Sequence, residues 1–400
     1  MSRGQATEPR SRASTLRARQ ALKQAESVHA YVRGSADKFY EWLDRLQPSA
    51  LPSGPPIWIC GDCHVGNLGP LEAKNGEVEV DIRDFDQAVI GNPAHDLLRL
   101  GMSLAAAARS SNLSGITTAH MVEQMVDGYR AELAPRKHAM PSRPEPIRVV
   151  MRRAHRRTWE QLARDRIRDA GPKIPLGKRY WPLSRAETRA IEGLADSADL
   201  RQLVRSLKAR PDDCDVELLD AAFWVKGCSS LGRLRYAVLL RVGKTHDAEE
   251  ELCLIDLKEA VRAAAPRYSA ASMPRDNAHR VVQAARALAP ALGERMLWAR
   301  ILDRSIFVRE IRPKDLKIEL EALTPEQATG IGEYLARILG RAHARQMDSA
   351  TRRSWHRDLG SYPSKGIDAP NWLWSGIVHL LAEHESAYLE HCRRCALQGK

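Results

Sequence analysis

Two rhythms of apolar positions run along the chain. From Ser14 to Leu46, Leu16, Ala21, Val28, Tyr31, Phe39, Trp42 and Leu43 recur near helical spacing, which predicts helix. Pro52, Gly54, Pro55 and Pro56 end it, because proline lacks the N–H a helix interior needs. Ile57 to Cys60 reads as a short buried strand ending at Gly61, and Leu68 to Leu71 as a second. Asn75-Gly76 is a hairpin turn, and Val78 to Ile82 alternates as the return strand. Helices are predicted from Asp96 to Arg109 and from about Ile116 to Leu133. Residues 134–215 are basic, interrupted by proline and mostly helical. The second half switches to alternation: Phe223 to Val225, Tyr236 to Val242 and Leu252 to Leu257 read as antiparallel strands, and Leu297 to Ile301 and Ser305 to Ile311 as two more. Helices are expected from Asn277 to Leu292 and over 325–347, ending near His343. Trp372, Trp374, Ile377, Leu380 and Leu381 suit a last helix packing back on the core.

Four hundred residues exceed what one ordinary core needs, so two lobes are expected. The pattern divides into a basic disordered tail (1–13), a mainly helical lobe (14–215), an antiparallel-sheet lobe (216–320) and helices returning to the helical lobe (321–400). The fold class is α+β. A composition 44% hydrophobic and 28% charged excludes a mainly disordered chain. No apolar run is long enough to cross a membrane. The Arg- and Ser-rich start has no apolar stretch of the secretory kind. Seven cysteines, an odd number, do not make a complete disulfide framework, and a reducing cytoplasm is expected. The net charge of +12 suits nucleic acid, anionic lipid or a phosphate-bearing small molecule. Its basic runs lie in residues 1–25 and 136–157. They read as a solvated tail and a solvated helix face, with the second available to an anionic substrate; nucleic acid is not the favoured partner.

The chemistry concentrates in residues 60–97, CGDCHVGNLGPLEAKNGEVEVDIRDFDQAVIGNPAHDL. Asp62, His64 and Asn67 share one tight loop, and Asp84 and Asp86 follow the hairpin that starts there. The hairpin returns Asp84 to Asn67, and a carboxylate converging with an amide oxygen suits a hard cation such as Mg²⁺. Asp62 is left to take a proton from a hydroxyl nucleophile. Metal ligands, a base and a basic group for phosphates are the parts of phosphoryl transfer.

These residues resemble the catalytic and metal loops of the protein-kinase-like superfamily, in the form used by aminoglycoside phosphotransferases and choline kinases. Gly61-Asp62, His64 and Asn67 match the first part of that pattern. Asp84-Phe85, Ala88, Gly91, Pro93 and Asp96-Leu97 match the second, while Cys60 stands where the family has histidine. The resemblance implies a catalytic Asp62, a loop-shaping His64, and Mg²⁺ on Asn67 and Asp84 with help from Asp86. It also points downstream. Gly227, Ser229, Ser230 and Gly232 lie in a segment resembling the glycine-rich loop over ATP phosphates, and Lys258 resembles the strand lysine that grips the α- and β-phosphates. Gln283 or Arg286 stands where that lysine's glutamate partner is expected. Asp96 is read as bonding backbone near the catalytic loop, and His343 as a packing residue at a helix end.

The nucleotide-covering sheet thus follows the catalytic loop instead of preceding it, a circularly permuted order. This order, the Asp84-Phe85-Asp86 motif and Ala342-His343-Ala344-Arg345 resemble the uncharacterised bacterial family catalogued as domain of unknown function 2252. The expectation is a two-lobed, permuted kinase-like fold acting as an ATP·Mg²⁺-dependent phosphotransferase on an unidentified hydroxyl acceptor. Three other readings stay open: a kinase-like module that binds nucleotide or RNA without turnover, a nucleotidyltransferase, and a metallophosphoesterase. The missing lysine-pairing glutamate favours the first, and the joint presence of Asp62, Asn67, Asp84 and Lys258 opposes it. Cys60-x-x-Cys63 with His64, and Cys392-x-x-Cys395 with His391, have zinc-like spacing. Cys63 fills a variable loop position and Cys392 and Cys395 lie one helical turn apart, so both pairs read as structural.

Overall fold

The computed structural model describes residues 7–136, 138–166, 173–207, 210, 214–227, 230–243, 251–268, 270–320, 322–360 and 368–398. The chain starts with three helices, α1 (Arg12–Ala25), α2 (Val28–Gly34) and α3 (Ala36–Leu43). The single helical run expected over 14–46 is therefore broken twice, the second time at Ser35, whose hydroxyl bonds back to Tyr31 O at 2.7 Å. Within the segment expected as a basic tail (1–13), residues from Pro9 onward are built into the fold. Pro9–Ser11 forms a 3-10 turn, and Arg12 is buried with its guanidinium 2.6 Å from Glu187. An arginine with a buried carboxylate partner is held in place, whereas one facing water is not.

Next come β1 (Ile57–Ile59), β2 (Leu68–Glu72), β3 (Val78–Ile82) and β4 (Val89–Gly91). β2 and β3 are the expected hairpin, with Leu68 opposite Ile82. β4, too short for any alternation to register, pairs antiparallel with β1. Helices α4 (Pro93–Ser110), α5 (Gly115–Leu133), α6 (Glu145–Arg156) and α7 (Trp159–Arg166) follow. Asn92 caps α4 by accepting from Ala94 N at 3.0 Å.

β5 (Tyr180–Trp181), α8 (Arg185–Ala195) and α9 (Ala198–Arg205) precede β6 (Val216–Trp224), β7 (Arg235–Val242) and β8 (Glu251–Glu259). Then come α10 (Asn277–Leu288), α11 (Pro290–Gly293), β9 (Met296–Ile301) and β10 (Arg304–Glu310). The helix expected to reach Leu292 breaks at Ala289, because Pro290 cannot continue it. The chain closes with α12 (Pro325–Ala344), α13 (Ser349–Gly360) and α14 (Asn371–Gln398).

Six strands form one antiparallel sheet in the order β5-β6-β7-β8-β10-β9. Strand alternation gives it two different faces. Tyr236, Val238, Leu240, Cys253, Ile255, Leu257, Ile306 and Val308 share a core with Ile191, Leu200 and Val204 of α8 and α9. Those two helices therefore pack on the sheet, not on the helical part to which the sequence reading assigned residues 14–215. Their apolar stripes complete that face. The opposite face carries Leu239 and Leu254 in a core with Leu162 of α7 and Ile174. On this side Arg235, Lys258, Phe307 and Trp298 stand in register across four strands.

The helical part centres on α4, α5 and α12. Glycines bring α5 and α12 close: a Cβ on Gly128 would lie 2.5 Å from Glu333 O, and one on Gly332 2.6 Å from Met121 O.

Candidate active site

The loop after β1 is fixed from below by Asp96 on α4. Its carboxylate accepts from Cys60 N (2.7 Å) and Gly61 N (2.9 Å) and lies 3.2 Å from His343 Nε2 at the end of α12. His343 Nδ1 is 2.8 Å from Tyr129 OH, to which Trp355 Nε1 donates at 3.1 Å. Asp96 and His343 are fully buried. Tyr40 OH holds Gly61 O at 2.6 Å, and Ser103 accepts from Val65 N. Gly61 adopts φ +71°, and a side chain there would collide with Gln87 O, so glycine is required.

This frame presents Asp62. One carboxylate oxygen accepts from Arg99 Nε at 2.6 Å, and the other is 3.8 Å from His64 Nε2. Arg99 is wholly buried and donates its Nη2 to Val32 O at 2.6 Å. Burial pushes the Asp62 carboxyl up, the Arg99 guanidinium opposes this, and the charge of Asp84 adds to the rise. Asn67 donates its amide to Asp62 O at 2.9 Å.

The hairpin returns the chain to the same place. Arg83 N donates to Asn67 O at 2.8 Å, which sets Asp84 beside that loop. Across the gap Lys258 of β8 points its ammonium at this turn. Its Nζ lies 3.4 Å from each Asp84 carboxylate oxygen and 2.6 Å from Asp86 Oδ2. Burial works to raise Asp84, but Lys258, with Arg309, Lys317 and Arg235, holds it well below the usual carboxylate range. Asp86 is pushed up by burial and by Asp84, against Lys258.

Several arginines complete the arrangement. Arg280 of α10 donates to Asp86 O (3.0 Å), Val261 O (2.9 Å) and Ala88 O. Arg235 forms a two-pronged pair with Asp256, and Arg309 reaches Asp256 at 3.5 Å and Arg83 O at 3.1 Å. The loop from β6 to β7 adds Arg233, 3.7 Å from Asp86 Oδ2. Gly227 and Gly232 in that loop both have φ +98°, and Ser230 Oγ donates to Lys226 O at 3.2 Å. Ser229 lies outside the described residues.

The structure thus brings together Asp62, His64 and Asn67 in one loop, and Asp84, Asp86 and Lys258 in one ion cluster. Lys258 finds its acidic partner in Asp86, not on α10, where Gln283 bonds His279 instead. Arg99, Arg233 and Arg280 escaped the sequence reading. Single arginines in so arginine-rich a chain carry no local pattern, and only tertiary placement distinguishes them.

Among the described residues no three His, Cys, Asp or Glu side chains converge as a ready-made metal cage. Asp86 Oδ1, however, is buried without a hydrogen-bond partner. A hard cation that keeps most of its water needs only one or two carboxylates from the protein, and Asp84 with Asp86 and Asn67 fits that need. Cys392 and Cys395 face the backbone of α1, at Ala25 O and Ala21 O, with His391 3.5 Å from Cys395. A cavity of about 660 Å³ between α8 and β6 shares no residue with the ion cluster. The cluster, not that cavity, is where charge and perturbed carboxyls meet.

The molecule is a mixed α+β protein with a lysine–carboxylate site between a sheet and a hairpin. The chain belongs to the family described as "Uncharacterized protein conserved in bacteria (DUF2252)", whose model matches residues 12–394. No curated protein matches it, and no solved structure does. Among the described residues no helix is long and apolar enough to cross a membrane.

Proposed function

We propose that the protein is an ATP·Mg²⁺-dependent phosphotransferase with a circularly permuted kinase-like arrangement. The observation that carries this reading is the ion cluster of Lys258 with Asp84 and Asp86, built from segments far apart in sequence. In this reading Lys258 turns from Asp84 to the α- and β-phosphates, and Asp86 keeps it aimed there. Asn67 and Asp84 hold Mg²⁺, which neutralises charge on the transferring phosphoryl group. Asp62, steadied by Arg99, takes the proton of the acceptor hydroxyl. The β6–β7 loop, with Gly227, Ser229, Ser230 and Gly232, covers the phosphates, and Arg233 adds positive charge. His64 shapes the loop around Asp62.

The test is incubation of the purified chain with cell extract and ATP·Mg²⁺ labelled at the γ-phosphate or, in parallel, at the α-phosphate. Label from the γ-position alone supports phosphoryl transfer. Label from the α-position alone assigns nucleotidyl transfer, and no label from either removes the reading.

A further inference from the structure

Helix α6 presents an arginine face that the candidate site does not use. Ile147, Val150, Met151 and Ala154 are buried. At about 100° per residue they occupy one arc of the helix, and Arg148, Arg152, Arg153 and Arg156 occupy the opposite arc. All four are exposed. Their Cα atoms span about 12 Å along the axis, at about 1.5 Å per residue. One acidic residue shares this face: Glu145 pairs with Arg148 and, at 2.9 Å, with Arg152. Among the described residues no carboxylate pairs with Arg153 or Arg156. The buried side of α6 packs on the β2–β3 hairpin and α12, so the arginines sit on a fixed rod.

We propose that this face binds the phosphate backbone of double-stranded DNA without reading its sequence. The chemistry of the face selects that partner. A row of guanidinium groups recognises phosphate oxygens. Val149, 40% exposed, is the one apolar side chain among them. An amphipathic helix on a membrane needs an apolar face to insert, and here that face is already covered by protein. Helix α6 carries no Trp, Tyr or Phe to give unpaired bases a broad stacking surface, as single-strand binding requires, and His155 is its one ring. The B-form major groove admits a helix, whereas the A-form groove of duplex RNA is deep and narrow.

The proposal is independent of the phosphotransferase reading. Fluorescence anisotropy with a labelled DNA duplex of about 20 base pairs, at about 50 to 200 mM salt, tests it. Four arginines less Glu145 neutralise about three phosphates, so log K should fall against log salt with a slope of about −2.7, about 40-fold weaker over that range. Replacing Arg148, Arg152, Arg153 and Arg156 by Gln should weaken binding at least 10-fold at the low-salt end and flatten the slope to near zero. A control with the same charge loss, Arg185, Arg189, Arg353 and Arg357 replaced by Gln, should keep the original slope. Unchanged circular dichroism in both variants shows that the fold survives. Absence of binding at the lowest salt overturns the proposal. So does an equal loss in both variants, or tighter binding to an RNA duplex or to phosphatidylserine vesicles than to DNA.

Discussion

The Lys258 ammonium stands 3.4 Å from both carboxylate oxygens of Asp84, although 174 positions separate the two residues. Two local rules aim them. Alternation along β8 turns Lys258 and Asp256 to one face while Ile255 and Leu257 go to the core under α8 and α9. The β2–β3 hairpin turns Asp84 back toward Asn67. The meeting of the two is tertiary, and it concentrates two aspartates around one largely buried cation.

That concentration makes the cluster's energetics asymmetric. Lys258 and Asp86 side chains are 6% and 12% exposed. Lys258→Met leaves two neighbouring carboxylates without their shared cation and is expected to cost about 3 kcal/mol in urea denaturation. Asp86→Asn costs less, because Asp84 still compensates Lys258. The double variant should be less destabilised than the sum of the two, by a coupling of about 1–3 kcal/mol. Strict additivity would mean that the pair is not formed in solution.

Asp84 is the better probe of the metal. Its side chain is 41% exposed, so water reaches the carboxyl and screens it, and Asp84→Asn should lower stability by less than about 1 kcal/mol. ATP with Mg²⁺ at about 100 times its Kd should stabilise the wild-type chain by about 2.7 kcal/mol in thermal unfolding. Asp84→Asn should remove the part of that shift that depends on Mg²⁺ and leave the part that depends on nucleotide alone. A variant that keeps its full Mg²⁺ response places the metal elsewhere.

The local parts of this site were legible from the sequence, and their assembly less so. Asn75-Gly76 and the alternation of Val78 to Ile82 mark the hairpin unambiguously. β7, β8, β9 and β10 were readable because their apolar positions alternate over several residues, whereas β6, expected only at Phe223 to Val225, runs from Val216 to Trp224, its alternation lost around the irregularity at Leu218 and Asp220. β4 and β5, three and two residues long, leave too short a trace to register. The tertiary role of Arg12 was hidden because a buried, paired arginine and a solvated one are the same letter. Arg99 shows this most clearly. It lies in an apolar helix pattern, and its partner Asp62 is 37 positions away, so nothing nearby signals that its guanidinium steadies the loop.

Asp81 gives a pH-dependent prediction. Burial raises its carboxyl to about 6, against an accepted bond from Ile82 N and the charges of Arg345 and Arg341, with Glu79 adding to the rise. A folded pKa above the unfolded value of about 4 means that the folded state binds the proton more tightly. Its contribution to stability is therefore full below about pH 4 and lost as pH rises through about 6. Asp81→Asn, which keeps an oxygen for Ile82 N, should stabilise the chain by about 1–2 kcal/mol at pH 8 and leave it unchanged at pH 4. Denaturation curves at both pH values measure this, and a gain of equal size at each would assign it to something other than titration.

Asp62 and Arg99 give the sharpest test of the proposed chemistry. Asp62→Asn is nearly isosteric, but an amide cannot take up the acceptor's proton, so turnover should fall about 10²–10⁴-fold while nucleotide affinity holds. The buried Arg99 would lose its countercharge, and stability should fall by about 1–3 kcal/mol. The pH profile separates catalysis from that structural loss. Turnover requires the carboxylate, so in the wild type the rate should rise with pH through an acid limb above the ordinary carboxylate range, because burial raises Asp62 more than Arg99 lowers it. Arg99→Met removes the group that opposes the rise. The acid limb should then move to still higher pH, with activity regained as pH increases. A limb that stays in place in Arg99→Met means that Asp62 does not set it, and a turnover unchanged in Asp62→Asn means that the proton leaves by another route.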